Sequence, residues 1–189
     1  MHTRRKFLKW IYPLTIRINK WTGNYREIFV SDKQAIMPFH HLSMEKLLGG
    51  MLDFGSLSGK KVLIVNTASD CVFTSQYSAL QELQDSVSDK LQIIGFPSGD
   101  FREQEMESME EISSFCQGYG VSFPLMKKSI VRKKTGQNDI FKWLTHSDKN
   151  GWNDRSPGWN FNKYLVDEMG DLIAVFGSSI EPQEIRAYL

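Results

Sequence analysis

Apolar positions fall along this chain in runs of two different periods. Lys61 to Ser69 reads KVLIVNTAS, an unbroken β-branched run bounded by Gly59 and by polar residues, the pattern of a strand buried on both faces. Beyond it, Tyr77, Leu80, Leu83 and Val87 recur at helical spacing with polar residues between them, which predicts an amphipathic helix over roughly 75–88. Leu91 to Pro97, LQIIGFP, is a second apolar run, ended by proline. Strand, helix and strand in so short a space predict a βαβ unit with two parallel strands. A second helix fits MESMEEISSFCQGYG, with Met109, Ile112, Phe115 and Cys116 on one face and Gly118 and Gly120 as a stop. NKYLVDEMGDLIAVFG predicts two strands around a turn at 168–170, and EPQEIRAYL opens with Glu181-Pro182, a favourable first helical turn. Upstream, Gly49-Gly50 marks a turn between two short apolar runs, read as a hairpin or a short preamble, and Ser31 to His41 is irregular.

Composition narrows this picture. With 189 residues, 41% of them hydrophobic, the chain suffices for one domain with a real core and is short for two. A formal charge of +1 gives no global pull toward nucleic acid. Two cysteines, Cys71 and Cys116, are too few for a disulfide framework, and neither belongs to a C-x-x-C pair. His2, His40, His41 and His146 show no metal-ligand spacing with carboxylates or cysteines, so neither a metal nor a cofactor is expected.

The first segment, MHTRRKFLKWIYPLTIRINKWTG, is unusual in combining basic residues with Phe7, Trp10, Tyr12 and Trp21. Two readings stand level: a segment lying on an anionic membrane surface through residues 1–23, and an extension that packs its aromatics on the domain while its charges stay wet. Arg4-Arg5 also reads as a twin-arginine export signal, but the longest uncharged stretch, Trp10 to Ile16, is short and Arg17 follows at once, so export ranks below both. The expected location is cytoplasmic, with membrane association as a variant of it.

Three motifs stand in a fixed order: KKVLIVNTASDCVFTSQY, GFPSGDFREQE and GWNFNKYLVDEMGDL. Together they resemble the glutathione peroxidase family, whose strand-loop-helix around the reactive cysteine or selenocysteine, F-P-C-N-Q-F-x-x-Q-E loop and W-N-F-x-K-[FY]-L segment they match. The resemblance runs from Phe39 to Leu189, which divides the chain into an extension over 1–38 and a domain over 39–189. It implies an α/β fold of thioredoxin type, a central mixed sheet flanked by helices, and reduction of hydrogen peroxide or organic hydroperoxides by a thiolate. Carried over by residue, Cys71 matches the peroxide-attacking position, and Trp159 and Asn160 match the tryptophan and asparagine of the family's tetrad. The tetrad glutamine is placed on Asp100, a departure. Cys116 is placed like the resolving cysteine of the thioredoxin-dependent members, which makes thioredoxin a more natural reductant than glutathione. A monomer is expected.

The chemistry follows from those side chains. Only a thiolate attacks a peroxide oxygen, and a free cysteine with a pKa near ~8.5 is mostly protonated at neutral pH. A cysteine between a parallel strand and the next helix faces unpaired N–H groups and the positive end of a dipole, which favour the thiolate. The Trp159 indole and Asn160 amide are neutral donors for the thiolate and the departing alkoxide. An ionised Asp100 beside the sulfur repels the thiolate; it can donate when protonated, take a proton as a base, or point away. The favoured reading is that Asp100 handles a proton. Attack leaves a sulfenic acid on Cys71, which Cys116 can trap as a disulfide after part of its helix unwinds. Read alone, each of these residues has an ordinary structural alternative: Cys116 as a packing residue, Trp159 as a core aromatic, Asn160 as a turn residue, and Gln104-Glu105 as a helix cap. A second class of function is a non-catalytic or peroxide-sensing relative whose N-terminal segment lies on a membrane.

Overall fold

The computed structural model describes residues 26–189, so the readings made on residues 1–23 lie outside the described residues. Seven strands run in chain order: β1 Ile28–Val30, β2 Ser43–Glu45, β3 Met51–Asp53, β4 Lys61–Thr67, β5 Leu91–Pro97, β6 Lys163–Val166 and β7 Leu172–Phe176. The helices are α1 Gln76–Ser86, α2 Met109–Gly118, α3 Asp139–Thr145 and α4 Ser147–Asn150, and a 3-10 helix covers Pro182–Tyr188. Five strands form one sheet in the order β1-β7-β6-β4-β5, and β2 and β3 pair as a separate hairpin.

The unbroken apolar run of β4 follows from its place in that sheet. It lies between parallel β5 and antiparallel β6. Leu63 and Val65 enter one apolar cluster with Leu80, Leu83 and Ile112 of α1 and α2, whereas Val62 and Ile64 enter another with Phe141 and Trp143 of α3. Both faces are covered, so none of Val62 to Val65 can be polar at low cost. Each fully buried aliphatic side chain of this kind contributes about 1.5–3 kcal/mol by leaving water. The α/β core with a mixed sheet is thus the one the sequence pattern predicts, and the 168–170 turn closes β6 onto β7 with Gly170 at φ 93°.

The boundary drawn at residue 38 falls inside the domain. β1 pairs antiparallel with β7, Ile36 N and Met37 N donate to Lys149 O, and Met37 O accepts the Trp143 indole N–H at 2.8 Å. A three-residue edge strand and a chain held mainly through its backbone leave no periodic signature. Residues 28–37 therefore belong to the fold that the motifs assign to 39–189.

Gly95 of β5 is required by a close approach. A Cβ there meets the Leu125 side chain at 2.6 Å, because the 124–126 segment lies alongside: Gly95 N donates to Pro124 O and Met126 N to Gly95 O.

Candidate active site

Cys71 lies in the turn between the end of β4 and the start of α1 and is half-buried. The Thr74 hydroxyl accepts from Cys71 N at 3.1 Å and donates to Ala68 O at 3.1 Å, while Thr74 N donates to Cys71 O at 3.0 Å. That one threonine ties both ends of the turn together, so the cysteine backbone is held rigidly ahead of the helix. Val72 beside it is 46% exposed, which leaves the turn open to solvent.

Trp159 and Asn160 come from the segment before β6, and Asn66 of β4 fastens that segment. Asn66 Nδ2 donates to Trp159 O at 2.9 Å, Asn66 O accepts from Phe161 N at 2.6 Å, and Asn66 N donates to Asn162 O at 3.3 Å. Phe161 sits at φ 62°, a conformation unfavourable for a bulky residue and held by these bonds. The turn leaves Asn160 fully buried and Trp159 packed against both apolar clusters, the Cys71-bearing one included. The Trp159 ring meets Phe101 at 5.4 Å between centroids, and the Arg102 guanidinium lies over it at 5.4 Å.

The loop after β5 joins these two parts, through a residue the sequence reading took as structural. Gln104 O accepts from Asp70 N at 2.8 Å, next to Cys71, and Gln104 Oε1 accepts from Asn160 Nδ2 at 3.0 Å. Gln104 is only 5% exposed. The turn that delivers it passes through Arg102 at φ 57° and Glu103 at φ 54°, two left-handed non-glycine residues in succession. Gln104-Glu105 does not cap the next helix, as the sequence reading suggested; Ser108 and Glu111 do so with a reciprocal capping box.

Asp100 stands elsewhere, contrary to the proton-handling role expected of it. Its Oδ2 accepts from Val131 N at 2.7 Å and Arg132 N at 2.9 Å, and its Oδ1 pairs with Lys134 Nζ at 2.5 Å. Both oxygens are committed to the 131–134 segment. Burial pushes this carboxyl up, but Lys134 and the two backbone donors outweigh it and hold it below the ordinary carboxylate value. Asp100 is an ionised clamp for that segment. Gln104, four residues later in the Q-E pair, is the glutamine whose side chain meets Asn160.

Cys116 lies on the inner face of α2, 1% exposed, in the same apolar cluster as Tyr77 and Phe161. Burial pushes its thiol up, with the nearby Glu105 charge adding to the effect and the Tyr77 hydroxyl opposing it, to about 11. Both cysteines are free thiols. Of the face predicted for α2, Ile112 and Cys116 are buried, Phe115 is partly buried against Tyr77 and Tyr119, and Met109 is 36% exposed. Among the described residues no group of three or more His, Cys, Asp or Glu could hold a metal ion, and no helix is long and apolar enough to cross a membrane.

The chain is similar to known proteins. The family model for glutathione peroxidase matches residues 39–145. The glutathione peroxidase-like peroxiredoxin GPX5 of Chlamydomonas reinhardtii is 42% identical over 149 residues, covering 78% of this chain and 91% of its own length. The hydroperoxy fatty acid reductase gpx1 of Synechocystis is 37% identical over 169 residues, covering 82% and 95%. Among solved structures, the apo form of Trgpx aligns with a TM-score of 0.62 at 29% identity over 82% of this chain and 94% of that one. A DsbF homologue from Corynebacterium diphtheriae aligns with a TM-score of 0.63 at 15% identity over 85% and 89%, a likeness of fold alone.

Proposed function

Since the chain belongs to the glutathione peroxidase family, we propose that it is a thiol peroxidase in which Cys71 attacks hydrogen peroxide or an organic hydroperoxide, Cys116 resolves the product and thioredoxin restores the dithiol. The observation that carries this reading is the double engagement of Gln104, whose backbone oxygen holds Asp70 beside Cys71 while its side chain holds the Asn160 amide. One residue thereby fixes the cysteine turn relative to the donors.

In the first step the Cys71 thiolate takes the terminal peroxide oxygen, the O–O bond breaks, and the departing alkoxide or hydroxide takes up a proton as alcohol or water. Neutral amide and indole donors from Gln104, Asn160 and Trp159 stabilise the anion at both ends of that transfer without having to ionise. In the second step Cys116 sulfur attacks the Cys71 sulfenic acid, its proton leaves with the hydroxide as water, and a disulfide forms. Cys116 starts buried in α2 as a thiol, so this step requires the helix to open. A reduced dithiol protein then exchanges with the disulfide, which favours thioredoxin over glutathione.

The decisive experiment follows peroxide consumption by the full chain with thioredoxin, its reductase and NADPH. Cys71→Ser is expected to abolish turnover. Cys116→Ser is expected to lose thioredoxin-coupled turnover while one equivalent of peroxide still oxidises Cys71. Turnover that persists without Cys71 contradicts the mechanism.

A further inference from the structure

One residue beyond Gln104, a buried carboxylate grips the cysteine turn. Glu105 Oε1 accepts from Ser69 N at 3.2 Å, from Ser69 Oγ at 2.5 Å and from Met106 N at 2.9 Å. Glu105 is 4% exposed, and its second oxygen, Oε2, is buried with no hydrogen-bond partner. Concentrating three donors on one oxygen and leaving the other bare is a costly way to bury a carboxylate, and an ordinary scaffold position is better served by an amide or an apolar side chain. What the arrangement gains is a rigid Ser69, two residues before Cys71, whose neighbour Asp70 is held in parallel by Gln104 O.

We propose that Glu105 is a positioning residue for Cys71: its carboxylate fixes Ser69, and through Ser69 the turn that presents the thiol to peroxide. The inference rests on Cys71 being the peroxide-attacking thiol. Charge is part of the grip, because hydrogen bonds to an ionised carboxylate are roughly twice as strong as those to a neutral acceptor. Burial pushes the Glu105 carboxyl up, while Ser69, the Met106 N–H and Lys128 pull the other way without cancelling it. Three charged or titratable groups face it: Tyr77 from α1, Cys116 from α2, and Lys128, which pairs with Glu107 at 3.2 Å. Burial holds Tyr77 and Cys116 protonated through neutral pH. Glu105 is thus the carboxyl of this cluster whose protonation burial favours, and that protonation slackens the turn.

The test is single-turnover oxidation of Cys71 by hydrogen peroxide in the full chain, followed by rapid mixing from acid to neutral pH. In the unmodified protein the rate is expected to fall more steeply toward acid than in Glu105→Gln, because protonation of Glu105 slackens the turn. Glu105→Gln keeps an oxygen for Ser69 but has no proton to take up, so its decline toward acid is shallower and the rate at neutral pH falls about fivefold. Ser69→Ala, which keeps Glu105, is expected to slow oxidation by a similar factor, and the double variant to be no slower than either single one. If Glu105→Gln does not fold, as judged by its circular dichroism, Ser69→Ala decides alone. Rates for Ser69→Ala within about twofold of the unmodified protein overturn the inference; so does an acid-end slope in a folded Glu105→Gln equal to that of the unmodified protein. Cys71→Ser separates the two levels: peroxide consumption surviving in it removes the premise, whereas its loss beside unaffected Glu105 and Ser69 variants removes the positioning role only.

Discussion

The Asn160 amide donates to Gln104 Oε1 at 3.0 Å, and neither side chain has appreciable contact with solvent. In a buried setting such a bond fixes which way both amides point, because turning either one sets donor against donor or acceptor against acceptor. The orientation of these two amides is thus set by the pair rather than by either residue.

Gln104→Glu is expected to lower the second-order rate constant for Cys71 oxidation about a hundredfold. It keeps an oxygen for Asn160 but replaces an amide donor by an acceptor carrying negative charge, next to a turn where a thiolate must form. Gln104→Leu removes the donor without adding charge and is expected to cost about tenfold. Stopped-flow oxidation at neutral pH measures both; equal rates in the two variants and the unmodified protein exclude Gln104 from the site.

Asp100→Asn is expected to leave the pH profile of peroxide consumption unchanged, because both carboxylate oxygens serve the 131–134 segment. Its effect belongs to stability. The folded carboxyl lies below its unfolded value, so its contribution is fully present above about pH 4, the unfolded pKa, and is lost as pH falls through the lowered folded value. The variant should lose about 1–3 kcal/mol at neutral pH and show a shallower decline in acid, read from urea midpoints across that range.

How far the site could be read from the sequence follows from the same residues. The strands and helices that carry it were legible because β4 and β5 are buried on both faces and α1 on one, which imposes a period on the sequence. Cys71, Trp159 and Asn160 are candidate site residues because they stand inside motifs. The contacts of Asp100 with the 131–134 segment were not legible, because polar residues stand at both 100 and 104 of one loop with the left-handed Arg102 and Glu103 between them. No composition rule reports that turn, since neither residue is a glycine. Asn66 was hidden for a related reason: it sits mid-strand in an apolar run, and its function is to bind backbone groups some ninety residues away. β1 and the chain to Met37 were missed because edge contacts made through backbone atoms impose no side-chain pattern.

Gly95→Ala is expected to destabilise the protein by about 1–3 kcal/mol through overpacking, since the new methyl meets Leu125 at 2.6 Å and Phe123 at 3.3 Å. Leu125→Ala on the same chain should recover part of that loss by removing the first of these contacts. Denaturant midpoints of the two single variants and the double variant give the coupling; strict additivity rules out the contact as the cause.

Cys116 supplies a prediction at the alkaline end. Its folded thiol lies at about 11 against an ordinary 9.0, so the unfolded chain gives up this proton first as pH rises. The contribution is fully present below the unfolded value and is lost as pH climbs from there through the folded one, a change of about 3 kcal/mol across the interval. Cys116→Ala lacks the titration and should decline less steeply over the same range, while losing some stability at neutral pH from the smaller side chain. The same buried thiol is the one that must reach Cys71, so deprotonation in alkali should also loosen α2 and speed disulfide formation after peroxide is added. Parallel measurement of unfolding midpoints and of disulfide formation against pH tests both. A disulfide rate that stays flat while stability falls separates the opening of α2 from the ionisation of Cys116.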